Sequence, residues 1–246
     1  MLFVRLRALL VALVTCIPAL AEAGVVITGT RVVYPMGSRE VNIRLRNVDQ
    51  KPVLVQSWID DGSVNESPGR LDVPFVISPP MSRVEPQRGQ TLRVVYTGAD
   101  LPQDRESLFF LNVLEVPPKS ERTENVNFMQ LAIRTRLKLF LRPDALATPV
   151  EEAHKALIWH AAAQGALRVE NPTPYHMSFS QVMTNTRDGL AGYEQGMVAP
   201  FSSLELARTP GKVQTGEPLA AGLVRFGVIN DYGAEVLGES EIRSRP

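Results

Sequence analysis

The residues with the most legible chemistry lie in one run, residues 127–143, reading NFMQLAIRTRLKLFLRP. Met129, Leu131, Ile133 and Leu137 fall on one face of an extended strand, with Gln130, Arg134, Arg136 and Lys138 on the other. The chemistry open to such a strand is recognition. An unpaired edge offers backbone donors and acceptors to a strand from another chain, and the apolar row offers side chains for that partner to bury. Inside a sandwich the same alternation is ordinary core packing, so the residues alone leave both readings open for Met129, Leu131 and Ile133.

Other candidates are weaker one by one. Arg31 interrupts an otherwise apolar stretch that reads as one strand over residues 25–34, and Lys138 sits in the closing half of the cationic run. Taken singly, both are solvated strand charges. Glu106, Arg142 and Asp231 likewise read as independent surface charges. Covalent chemistry has little support. His154, His160 and His176 show no spacing with carboxylates or cysteines that suggests a metal site. Neither a Gly-x-Ser-x-Gly elbow nor a phosphate-binding glycine loop occurs. The expectation is a protein that is not an enzyme, with no cofactor and no metal. Asp60-Asp61 reads as a turn, and Asn65-Glu66-Ser67 as a chance match to a glycosylation acceptor.

The elements that must position these residues are strands. Val41, Ile43 and Leu45 alternate with Asn42, Arg44 and Arg46, and Leu92, Val94 and Tyr96 alternate with Thr91, Arg93 and Val95. Residues 108–113 are apolar on both parities, as in a strand packed centrally. Pro79-Pro80 and Pro117-Pro118 cannot sit inside a ladder and mark strand ends or turns. Trp159, Leu167, Val169, Met177, Phe179, Leu204, Leu206 and residues 223–229 supply a second set of strand cores, and one short helix is expected near residues 150–155. The chain is therefore all-β, with a boundary near Arg142-Pro143-Asp144. The expected division is 24–143, a linker over 144–150, and 151–246.

Residues 1–23 carry Arg5 and Arg7, an apolar run, and Ala21-Glu22-Ala23, which together read as a secretory signal cleaved before Gly24; a lipoprotein reading through Cys16 is weaker, since Thr15 is larger than the residue that usually precedes a lipidated cysteine. Cleavage of the 246-residue chain leaves 223 residues, enough for two sandwiches of about 100 residues each. It also removes the single cysteine, Cys16, so no disulfide framework is expected in an oxidising compartment. The full chain has 26 basic and 26 acidic residues; without Arg5, Arg7 and Glu22 there remain 24 and 25. That balance argues against a general nucleic-acid or anionic-membrane binder. After residue 23 no segment approaches the roughly 20 apolar residues of a membrane helix, so no membrane insertion is expected once the signal is removed.

Several blocks in order, TRVVYP at 30–35, SPPMSRVEPQRGQTLRV at 78–94, LPQDRESLFFLNVLEVPP at 101–118, the run at 127–143, ENPTPY at 170–175 and INDYG at 229–233, resemble the periplasmic pilus (fimbrial) chaperone family. The resemblance implies two immunoglobulin-like domains in a boomerang, located in the periplasm. It implies that Met129, Leu131 and Ile133 complete an unfinished pilus subunit by donor-strand complementation, and that Arg31 and Lys138 bind the subunit's C-terminal carboxylate. Glu106, Arg142 and Asp231 would form an ion network between the domains, and an outer-membrane usher would receive the subunit. Loop 119–128 is short, as in chaperones serving rod-like pili, and a cis peptide is common at the first proline pair. A self-capping dimer that covers the exposed strand is left open. Parity puts Lys138 opposite Met129, Leu131 and Ile133, so a twist or bulge is expected to reconcile them. The chain after Gly233 lacks the cysteine-bearing final hairpin of several relatives, leaving the last strand of the second domain uncertain. The competing reading is a secreted two-domain adhesin or fibre subunit.

Overall fold

The computed structural model describes residues 24–62, 72–118, 129–146, 148–186, 189–214 and 222–243. The expected signal, residues 1–23, together with Asn65 and residues 119–128, lies outside these residues. The first half contains β1 (Val25–Ile27), β2 (Arg31–Pro35), β3 (Val41–Asn47), β4 (Val53–Asp60), β5 (Phe75–Ser78), β6 (Met81–Val84), β7 (Gly89–Tyr96), β8 (Ser107–Val116) and β9 (Ile133–Arg142). They form a four-stranded sheet, β1-β3-β7-β5, and a five-stranded sheet, β2-β9-β8-β4-β6. Ile43, Leu45, Leu92 and Val94 from the first face Tyr34, Val55, Leu111, Leu139 and Leu141 from the second, and these side chains are buried in one core. Tyr34 closes it: its ring meets Phe75 edge-on at 5.8 Å, while its hydroxyl donates to Ser38 O and accepts from the Tyr96 amide.

Three expectations change here. The stretch 25–34 is two strands, because the chain bends at Gly29, which has φ +92°, and crosses from one sheet to the other. The cationic strand begins at Ile133, so Met129 and Leu131 precede β9. Asp60 is not a turn residue; it is the buried last residue of β4, and only Asp61 and Gly62 bend away. The Ser78-Pro79 peptide is cis, and β8 ends at Val116, before Pro117-Pro118.

Helix α1 (Val150–Ala153) and a 3₁₀ turn (His154–Ala156) lead into the second half. Its strands are β10 (Ile158–Ala161), β11 (Leu167–Asn171), β12 (Met177–Thr186), β13 (Gly189–Tyr193), β14 (Met197–Val198), β15 (Ser202–Leu206), β16 (Arg208–Gln214), β17 (Leu223–Ile229) and β18 (Glu235–Arg243). The order is β15-β11-β10-β18-β17-β12-β13-β16, with β14 on β12. Trp159 is fully buried against Phe226 at 5.2 Å and Phe179 at 5.4 Å. The last strand, uncertain from sequence, is well supported: β18 pairs with β17 over seven positions and runs parallel to β10. The protein is all-β, with two β-sandwich domains.

Candidate functional site

β9 is the element on which the predicted residues converge, and its two edges differ. One edge pairs with β8 along its length, from Ile133↔Glu115 to Leu141↔Ser107. The other edge pairs with β2 only from Lys138 to Arg142, in a parallel ladder that sets Arg31 directly beside Lys138. Among the described residues no strand covers this second edge over residues 133–137. Row and edge coincide. Met129 is 83% exposed, Leu131 67% and Ile133 59%, although Ile133 is level across the sheet with Glu115 and the buried Val55. The same parity, continued through Leu137, Leu139 and Leu141, is buried core.

The β8–β9 register has no shift, so no bulge reconciles Lys138 with Ile133; they stay on opposite faces. Lys138 faces the second domain, where its ammonium donates to Ser178 Oγ at 2.8 Å. Arg31 also crosses, its Nη1 donating to the carbonyl of Ile229 at 2.7 Å, and its guanidinium lies 5.9 Å from the Phe140 ring centroid. Arg31 Nε is buried without a hydrogen-bond partner among the described residues. Burial pushes the Arg31 guanidinium below its ordinary value, against the pull of Asp231 and Glu106. Burial, then the charge of Arg31, pushes the Lys138 ammonium down as well. Two half-buried cations therefore sit side by side, and among the described residues no carboxylate is in contact with either. Such a pair favours an anion with two acceptor oxygens.

Next to them, Glu106, Arg142 and Asp231 come together across the domain interface. Arg142 Nε donates to Glu106 Oε1 at 2.8 Å, and its Nη1 and Nη2 donate to the two oxygens of Asp231 at 2.6 and 2.9 Å. Burial opposes the Arg142 charge, but the bonds to Asp231 and the field of Glu106 and Asp231 prevail and hold its pKa above the ordinary value. Glu106 is buried, and its other oxygen accepts the His176 amide at 2.8 Å, with the His176 ring 3.3 Å away. A side-chain carbon on Gly233, at φ +83°, would meet Thr30 Oγ1 at 2.5 Å, so the turn after β17 packs tightly on the residue before Arg31.

Sequence reasoning missed the partners in the second domain, Ser178, His176 and the Ile229 carbonyl, since nothing local marks them. It also missed Asp60 as the counter-ion of Arg134 and Arg136. The signal there was two arginines at i and i+2 on one strand face, which together call for an anion nearby.

Both halves of this arrangement have known counterparts. Residues 24–147 match the family described as pili and flagellar-assembly chaperone, PapD N-terminal domain, and residues 152–240 match the pili assembly chaperone PapD, C-terminal domain. The chain belongs to the pilus-assembly chaperone family. This chaperone is 42% identical over 228 residues to the probable fimbrial chaperone YadV of Escherichia coli K12, covering 89% of this chain and 90% of that one. It is 43% identical over 217 residues to the chaperone protein FimB/FhaD of Bordetella pertussis, covering 87% and 86%. Its fold matches the crystal structure of the Pseudomonas aeruginosa CupB2 chaperone with a TM-score of 0.74 and 40% identity, covering 89% and 100%. It also matches a Salmonella enterica structure of the SafA pilin in complex with the SafB chaperone, with a TM-score of 0.75 and 30% identity, covering 91% and 99%.

Proposed function

We propose that this protein is a periplasmic chaperone that captures pilus subunits by adding β9 to their incomplete sheet, anchors their C-terminal carboxylate on Arg31 and Lys138, and passes them to an outer-membrane usher. The observation that carries the reading is the coincidence of the open β9 edge, residues 133–137, with the cation pair at its inner end. A strand lying on that edge continues the line of β2. If its terminal carboxylate stops at Arg31 and Lys138, its chain runs from the Met129 end toward Lys138 and is therefore parallel to β9. Parallel addition is the sense β2 already uses.

Opposite faces of β9 and of the segment leading into it then do different work at one edge. Lys138 meets the terminus, while Ile133, Leu131 and Met129 reach into the subunit's open groove. A fixed terminus matters because a slip of one residue would turn every donated side chain to the wrong face. Donor-strand complementation of pilins by their chaperones is a known instance of strand addition to an exposed sheet edge. Relatives bearing the name fimbrial chaperone, and a neighbour crystallised with a pilin, support the subunit as partner. The adhesin or fibre reading has no comparable support, since both halves match chaperone domains. Nothing in the site calls for catalysis.

Co-purification of tagged wild-type protein and Arg31→Ala from periplasm, each expressed with a pilus subunit and weighed by native mass spectrometry, tests the reading. A one-to-one complex lost in the variant is expected. Absence of any complex with wild type, and its appearance on the cell surface, would sink it.

A further inference from the structure

The exposed half of β9 raises a physical question: what keeps it flat and aimed. Among the described residues it has a neighbour on one edge only over residues 133–137, and Ile133 and Thr135 are exposed while Leu137, Leu139 and Leu141 are buried. A strand held by one ladder, without core beneath it, twists and frays.

The opposite face supplies the restraint. Arg134 and Arg136 project there and converge on Asp60, which comes from β4, two strands away across β8. Asp60 is buried and both its oxygens are fully used. Oδ1 accepts from Arg136 Nη2 and from the Gly62 amide at 2.9 Å; Oδ2 accepts from Asn112 Nδ2 at 2.6 Å and from Arg134 Nη2 at 3.4 Å. Asn112, on the intervening β8, turns its own Oδ1 to Arg134, accepting from Nε at 2.9 Å and Nη2 at 2.6 Å. Aromatic rings hold the guanidinium planes: Arg136 lies 3.9 Å from the centroid of Phe110, and Arg134 lies 5.0 Å from that of Trp58. Three strands are thus tied by one carboxylate and one amide, with the arginines pinned on two sides.

We propose that Asp60 is a positioning residue for subunit capture: with Asn112 it clamps Arg134 and Arg136 so that the open edge of β9 is presented already ordered, with Ile133 on it and Leu131 and Met129 leading into it. The inference rests on the strand-addition reading above. Pre-ordering matters because a donor strand that must first be straightened loses that ordering entropy from its binding, and it does so before any groove contact forms. Asp60 touches neither the carboxylate anchor nor the donated row, so its loss separates strand presentation from anchoring.

The test uses the full mature chain as wild type, Asp60→Asn and Arg134→Met. A pilus subunit is diluted from guanidinium into each, and the rate of complex formation is followed. In parallel, a peptide of that subunit's C-terminal strand, with free or amidated terminus, is titrated, and amide hydrogen exchange is read over residues 133–137. Expected for Asp60→Asn are faster exchange confined to this segment, capture slowed at least tenfold, and an unchanged affinity ratio between free and amidated peptide. Arg134→Met, which keeps Asp60 and Arg136, shows the same pattern more weakly and serves should Asp60→Asn fail to fold. Capture and exchange at wild-type levels in a folded Asp60→Asn overturn the proposal. So does a uniform rise in exchange over the whole first domain with the peptide ratio lost, which would make Asp60 a stability residue only. Failure of wild type itself to capture the subunit overturns the strand-addition reading, and this inference with it.

Discussion

Arg31 and Lys138 are direct partners in the parallel β2–β9 ladder, two cations brought side by side from strands more than a hundred residues apart in sequence. Neither touches a carboxylate among the described residues, and burial depresses the basicity of both. A protein selected for stability alone would not place them so, whereas one that binds an anion gains from a site whose donors are already desolvated.

Removing the charge at Arg31 or Lys138 should therefore leave the fold intact while removing the proposed anchor. Arg31→Ala and Lys138→Ala are expected to give native-like circular dichroism and protease resistance. Each lost charge-assisted bond is worth about 1.5 to 3 kcal/mol, so subunit-peptide affinity should fall roughly ten- to 150-fold. Unfolding of these variants would make the two cations structural and remove the site assignment.

Anchoring should also fail at alkaline pH earlier than an ordinary lysine would allow. The folded pKa of Lys138 lies below that of the unfolded chain, because burial and Arg31 disfavour the ammonium. The unfolded state therefore holds more protons between the two values, and over that window folding stability rises with pH while the carboxylate anchor weakens. Binding of the peptide as a function of pH, compared with Lys138→Met, reads this directly. Lys138→Met should have a higher thermal midpoint than wild type and a flat, weak binding profile; a profile identical to wild type would rule out Lys138 as the titrating anchor.

The exposed row proposed for donation to the subunit makes the opposite separation. Leu131 is 67% exposed, so Leu131→Glu should leave the denaturation midpoint within experimental error of wild type. In a complex it would remove about 1.5 to 3 kcal/mol of apolar burial and force a carboxylate into the groove. Capture of a refolding subunit should fall by more than tenfold, measured by the yield of native complex. Wild-type yield would show that Leu131 stays outside the groove.

At the domain interface, losing the shared cation and losing one of its acids should have unequal effects. Arg142→Ala strands the buried Glu106 without its cation and is expected to lower stability by about 3 to 5 kcal/mol, read by urea denaturation. Asp231 is more open to water, so Asp231→Asn should keep the fold and weaken subunit binding through a loosened β17–β18 turn. Equal stability losses in the two variants would show that stranding the buried Glu106 adds no cost beyond the loss of the Asp231 pair.

Much of this molecule was legible in its sequence because strand parity is local. The alternation at Val41, Ile43 and Leu45, the proline pairs that end strands, and the order of the matching blocks determined an all-β chain of two sandwiches, its family, and the residues worth watching. Parity depends on bonds between near neighbours, so it survives without knowledge of the rest of the chain. What lies beside a strand, and across a domain boundary, is decided by contacts between residues far apart in sequence. Tertiary structure alone decided that residues 25–34 divide between two sheets, that β9 keeps one edge open over residues 133–137 among the described residues, and that Asp60 is the counter-ion of Arg134 and Arg136. It also decided that Ser178 and the Ile229 carbonyl meet the two cations from the second domain.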